Sequence, residues 1–123
     1  MKKPAADARR EVLRPIASLI RKSAKARRKL APGTWQSKML RDNLRALRLA
    51  SVFMKNPAGG AGRRPPDDLR AARMTLAAMI GRVEKTAKQF APGTAPHTLQ
   101  KNRLRALRAA QAAIQAALKK PRG

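Results

Sequence analysis

The chain has no cysteine and no tyrosine, and among its 123 residues there are one histidine, one tryptophan, two phenylalanines and six acids. Each shortage removes a class of protein. Without cysteine there is neither a disulfide framework nor a thiolate metal site. The acids are Asp7, Glu11, Asp42, Asp67, Asp68 and Glu84, and with His97 alone beside them no set offers acid–base catalysis or metal ligation. The expectation is a protein that is not an enzyme and carries no cofactor and no metal. Apolar runs stay far below the roughly 20 residues needed to span a bilayer. The N-terminal stretch lacks the continuous apolar segment of a secretory signal. It is arginine-rich and amphipathic, like a mitochondrial transit peptide, but the same style of sequence continues to the other end. A cytoplasmic location is expected. The three aromatic residues, Trp35, Phe53 and Phe90, are too few for recognition by a base-stacking β-sheet.

Positive charge is what the chain has in abundance. Thirty lysines and arginines against six acids give a formal net charge of +24. Such a charge opposes compaction by self-repulsion and is tolerated most easily when a polyanion neutralises it. Nucleic acid is the leading partner on this ground, and an anionic membrane surface is the competitor. Arginine outnumbers lysine by 18 to 12, which favours phosphate contact because the guanidinium fork matches phosphate oxygens. The chain is also 43% hydrophobic, so it is no disordered basic tail. Much of that apolar content is alanine, and the core is expected to be thin.

The sequence repeats itself without a gap. Residues 7–56 align with 67–116, and fifteen of the fifty pairs are identical. Ala31-Pro32-Gly33-Thr34 returns as Ala91-Pro92-Gly93-Thr94, and Leu44-Arg45-Ala46-Leu47-Arg48 as Leu104-Arg105-Ala106-Leu107-Arg108. Seven pairs are basic in both copies: Arg10/Arg70, Lys22/Arg82, Lys25/Lys85, Arg28/Lys88, Arg41/Lys101, Arg45/Arg105 and Arg48/Arg108. A shared core position says only that both copies fold alike, whereas shared cations point to a common anionic partner.

Periodicity is helical throughout. Leu69, Ala72, Leu76, Met79, Ile80, Val83, Ala87 and Phe90 follow the 3–4 spacing of one helix face, and Val12, Leu13, Ile16, Leu19, Ile20 and Leu30 form its counterpart. Pro15 either kinks the first helix or starts its main part. Asp67 and Asp68, after Pro65-Pro66, suit a helix N-terminus by dipole and capping. Each Ala-Pro-Gly-Thr ends a helix: the residue before proline avoids helical angles, glycine permits a left-handed turn, and threonine caps the next helix. The second helices run from about 35 to 55 and from about 96 to 119. Their core faces are read as Trp35, Met39, Leu40, Leu44, Leu47, Ala50, Phe53 and Met54, and as Leu99, Leu104, Leu107, Ala110, Ile114 and Leu118. These elements give an all-α four-helix bundle built from two duplicated αα-hairpins. Residues 1–55 form the first hairpin repeat, 56–66 a Gly/Pro-rich linker and 67–120 the second, in one compact domain. Gly59-Gly60-Ala61-Gly62 lacks the ending and the preceding strand of a phosphate loop and is read as linker.

Candidate binding residues come from the basic faces. Arg41, Arg45 and Arg48 fall within about 60° on a helical wheel. Lys38 and Lys55 extend the row, and Lys101, Arg105 and Arg108 repeat it. Lys22, Lys25 and Arg28, with Arg82, Lys85 and Lys88, supply matched cations on the first helix of each copy. Trp35 is replaced by Ala95 in the second copy and is assigned to the core rather than to base stacking. His97 reads as a polar residue in the first turn of its helix. Asn43 and Arg103 fall on apolar faces; Arg103 snorkels, meets another subunit or binds a phosphate. A helix–turn–helix at Ala-Pro-Gly-Thr fits poorly, because the flanking helices are long and there are two copies.

In size, charge and helix count the whole chain resembles the small subunits of multi-subunit CRISPR effector complexes. That resemblance implies a helical bundle, present in several copies along a guide-RNA complex, that helps to hold the target or displaced strand. Ile20-Arg21-Lys22-Ser23-Ala24-Lys25 and Lys101-Asn102-Arg103-Leu104 also resemble the basic three-helix protein of the bacterial small ribosomal subunit, from which the repeat and the four-helix count depart. The expected function is non-catalytic binding of RNA or DNA backbone without strong sequence preference, as a small ribonucleoprotein subunit with other protein subunits and further copies of itself. The alternatives are a free-standing DNA-compacting, nucleoid-associated protein and, ranked last because large apolar residues are scarce, an anionic-membrane-binding protein. No membrane partner is expected.

Overall fold

A computed structural model describes residues 4–55 and 65–119, and the side chains from Arg10 onward within the first of these segments. Four helices follow one another: α1 (Pro4–Arg28), α2 (Trp35–Lys55), α3 (Pro66–Ala87) and α4 (Ala95–Lys119). Among the described residues there is no strand, and the protein is an all-α four-helix bundle. The glycine-rich part of the linker, residues 56–64, lies outside the described residues; Pro66, read as linker, begins α3. Helix α1 runs through Pro15, which stands half-buried inside it, one backbone donor short.

The two Ala-Pro-Gly-Thr turns are built alike. Gly33 and Gly93 hold φ of 85° and 86°, a left-handed conformation that a Cβ disfavours. Thr34 Oγ1 donates to the Ala31 carbonyl at 2.9 Å and accepts from the Ser37 N–H at 3.2 Å. Thr94 Oγ1 repeats both bonds, to Ala91 at 2.7 Å and from the His97 N–H at 3.3 Å. The threonine thus caps its helix as expected. Ahead of each turn the last helical carbonyls are taken by tight i→i−3 bonds, from Leu30 to Arg27 at 3.1 Å and from Phe90 to Ala87 at 3.2 Å. At the start of α3 the two aspartates form no side-chain cap. Asp67 instead pairs with Arg70 at 2.7 Å, and the acids act on the helix through its dipole.

The directions of the helices follow from cross-helix contacts. Arg73, early in α3, donates to Gln115, late in α4, at 3.0 Å, and Glu84, late in α3, meets Arg108 in the middle of α4. This hairpin is antiparallel. A groove between α2 and α3 brings Val52 and Arg48 on one side together with Asp68, Ala71 and Thr75 on the other, the ends of the two helices nearest the linker. With α1 and α2 joined by a tight turn, α1 and α3 run one way, α2 and α4 the other, and both Ala-Pro-Gly-Thr turns lie at the same end. We call it the turn end.

The cross-section is a rhombus. Helix α2 packs on α1, α3 and α4, and α4 packs on α1, α2 and α3, whereas among the described residues the backbones of α1 and α3 do not approach closely. The short diagonal is therefore the seam between α2 and α4. Along the middle of their buried stripes lie Asn43, Leu47, Ala50 and Met54, and at equivalent positions Arg103, Leu107, Ala110 and Ile114. Leu47, Ala50, Leu107, Ala110 and Ile114 are completely buried. Alanine at both equivalent positions lets the helix axes draw together, so that leucines from the two copies interdigitate. Ile16 from α1 and Leu76 from α3, also completely buried, close the core from the long diagonal.

The expected core faces hold except at the turn end. Trp35 is 71% exposed and Leu99 45% exposed, against their assignment to the core. The cause is geometric. Helical side chains lean toward their own N-terminus, so Trp35, the first residue of α2, projects past the last turns of its neighbours. Leu99 sits in the second turn of α4, where its neighbour Gln100 takes the buried position instead.

The seam makes a stability prediction. Ala50→Leu or Ala110→Leu overpacks the α2–α4 contact and should cost about 1–3 kcal/mol in urea unfolding followed by circular dichroism. Ala112→Leu, on the exposed side of α4, should stay within about 0.5 kcal/mol of the parent.

Candidate nucleic-acid interface

All thirteen cations expected to meet phosphate are exposed: Lys22, Lys25, Arg28, Lys38, Arg41, Arg45, Arg48, Arg82, Lys85, Lys88, Lys101, Arg105 and Arg108. They form three groups. On α2, Lys38, Arg41, Arg45 and Arg48 run along the side opposite the buried stripe. On α4, Lys101, Arg105 and Arg108 do the same. The rest stand on α1 and α3 and gather toward the turn end, where the last turn of α1 holds Lys25, Arg27 and Arg28 and that of α3 holds Lys85.

The two rows do not share a face. Because α2 and α4 turn their buried stripes toward each other across the short diagonal, their exposed rows point in opposite directions. The sequence repeat shows that the rows are equivalent; only the packing shows that they look away from each other. Successive cations in a row are one helical turn apart, roughly 5–6 Å between Cβ atoms.

The few acids temper these rows unevenly. Three ion pairs occur among the described residues. Arg108 Nη2 reaches Glu84 Oε2 at 2.8 Å, tying α4 to α3. Arg41 Nη2 lies 3.5 Å from Asp42 Oδ1 of the next residue, both largely solvated. The groove between α2 and α3, about 450 Å³, is lined by Arg45 and Arg48 but also by Asp42 and Asp68. The α2 row is thus flanked by carboxylates on its α3 side and faces solvent elsewhere. Among the described residues no acid is bonded to Lys101 or Arg105. Helix α3 presents a different outer surface, with Ala71, Met74, Ala77, Ala78 and Gly81 exposed between the charged ends; Met74 is 70% exposed.

Residues left open by the sequence are now placed. Asn43 is buried and Arg103 half-buried at equivalent positions of the seam, near the turn end. His97 stands half-buried in the first turn of α4. Among the described residues no three His, Cys, Asp or Glu side chains cluster as metal ligands, and no helix is long and apolar enough to cross a membrane. The feature missed from sequence is the exposed pair Trp35 and Leu99. Their place in the first two turns of their helices was the available signal, since the wheel treats every turn as equally covered.

Glu84→Gln frees Arg108 and leaves a neutral side chain of the same shape. It should change stability by less than about 1 kcal/mol, because the pair is solvated. It should also strengthen binding of a polyanion such as heparin, read as later elution from a heparin column in a salt gradient.

Comparison with protein-family models, with curated proteins and with solved structures finds no match to this chain.

Proposed function

We propose that the protein binds the phosphate backbone of nucleic acid, without catalysis and with little sequence preference. The observation that carries this is the pair of exposed cation rows at equivalent positions of α2 and α4, in a chain of net charge +24. A row of arginines one turn apart on a rigid helix suits a polymer of phosphates better than a single small anion. Each phosphate neutralised releases condensed counterions, which supplies the affinity and makes it depend steeply on salt. Among the described residues nothing marks a base-reading element, which supports backbone contact as the mode. In its narrowest form the protein is a small helical subunit of a ribonucleoprotein, such as a CRISPR effector complex, working in the cytoplasm beside other subunits and copies of itself.

The opposed directions of the rows favour a second reading, a free-standing DNA-compacting protein. A bundle with cations on two opposite sides bridges two strands that a one-sided binder cannot. The membrane reading loses support from the fold. The large apolar residues that drive insertion are spent in the bundle core, and those left outside are isolated.

Reversal of one row tests the main reading. Arg41→Glu, Arg45→Glu and Arg48→Glu together should leave helix content intact, weaken binding to a labelled oligonucleotide, and lower the slope of log affinity against log salt by about 3. Unchanged affinity and slope would mean that the row is merely solvated. A bead-tethered duplex separates the two forms. If the protein bridges, the parent chain captures a second, free duplex, and reversal of either row alone abolishes capture while the tethered duplex is still bound. If it is a one-sided subunit, no second duplex is held.

A further inference from the structure

Trp35 is the only tryptophan of the chain, and it stands 71% exposed at the turn end. Nothing in the fold requires it there. Its equivalent in the second copy is Ala95, which starts α4 behind the same threonine cap, with Thr94 bonded as Thr34 is. An aromatic residue of this size held in water is an unused apolar and π surface.

Its surroundings are cationic. Lys38 is the next residue but two along α2, about one helical turn away and on the adjoining flank. The tight turn places the end of α1, with Lys25, Arg27, Arg28 and Lys29, beside the start of α2, and all four side chains are exposed. The parallel arrangement of the copies brings Lys85, Lys88 and Lys101 to the same end of the bundle. The acid nearest that end, Glu84, is already engaged by Arg108 at 2.8 Å. Among the described residues, then, the turn end joins one exposed indole to a ring of unneutralised cations. The cations at the ends of α1 and α3 also offset the negative helix C-termini, which accounts for part of their number but not for the tryptophan.

We propose that Trp35 is a stacking platform for an unpaired nucleobase, with the surrounding lysines and arginines holding the flanking phosphates of a single strand. The proposal rests on the backbone-binding reading above and sharpens it: the turn end selects single strands, because only an unstacked base offers its face to the indole. A flat ring beside a basic track is the combination by which single strands are held without regard to sequence. One tryptophan provides one stacking position, so the effect is on strandedness rather than on base identity. The charge around the ring selects a polyanion over an apolar protein surface. The small apolar area at this end, Trp35 with half-exposed Leu99, is too little to anchor the chain in a lipid surface.

Because no second tryptophan exists, intrinsic fluorescence reports on this site alone. The full chain is titrated with oligothymidylate of about 16 nucleotides, with a duplex of equal length, with inorganic polyphosphate and with phosphatidylglycerol vesicles. Binding of each is followed independently of fluorescence, by displacement of a labelled polyanion for the soluble ligands and by co-sedimentation for the vesicles. Saturable quenching of Trp35 by the single strand, and little quenching by bound duplex or polyphosphate, supports the proposal. Trp35→Ala should then weaken single-strand binding about tenfold while leaving the salt slope and duplex binding unchanged, since stacking releases no counterions. Trp35→Phe should recover most of the loss. A single strand that binds without altering the emission, with equal affinity for parent and Trp35→Ala, overturns the platform and leaves the cation rows standing. A blue shift with vesicles, together with no change of emission when the oligonucleotide binds, overturns it in favour of a lipid surface. If no polyanion binds, the backbone reading falls and the platform with it.

Discussion

The contact between α2 and α4 governs this molecule. It is the short diagonal of the bundle, and it depends on two alanines, Ala50 and Ala110, buried at equivalent positions among leucines from both copies. A larger residue at either position forces the axes apart, and the diagonal contact is then the first to go. While it holds, both helices are fixed in rotation. Their apolar stripes are turned inward against each other, and the LRALR segments must present their arginines outward, in opposite directions. The placement of charge is in this sense a by-product of how the core closes.

Charge sets the opposing pressure. With a net charge of +24, folding gathers cations that an unfolded chain keeps apart, and the alanine-rich core has modest apolar area to set against that. The bundle limits the conflict by sending its cations to separate places: one row on each side and a cluster at the turn end. The few carboxylates are used locally. Asp67 steadies Arg70 at a helix start, and Glu84 links α3 to α4 through Arg108. Neither relieves the general excess. A polyanion would, so on the proposed reading the same feature that burdens the free protein favours its complex.

Much of the fold was legible because local rules and tertiary demands agree. The 3–4 periodicity gave four helices, and the proline, glycine and threonine of each turn act through the geometry expected of them, with Gly33 and Gly93 both left-handed. Three things were not legible. Pro15 breaks a local rule, yet α1 continues through it, because Ile16 beside it is locked completely into the core. Trp35 was misplaced because periodicity describes an endless helix and knows nothing of where neighbouring helices stop. The candidate cations were legible one helix at a time, as exposed residues. Their arrangement in space was not, since the opposed directions of the rows depend on which diagonal of the rhombus is short, and that is decided by side-chain size at a few buried positions.

The rows are also short. From Lys38 to Arg48 the rise of the helix spans about 15 Å, the length over which one strand of a duplex presents about four phosphates. On the proposed backbone-binding reading, contact over so few charges is weak for one molecule and quickly reversible. A longer stretch of polymer would then be covered only by lining up more molecules, each with its own small footprint. Occupancy along a strand would be set by how densely the protein is supplied rather than by how tightly one copy holds.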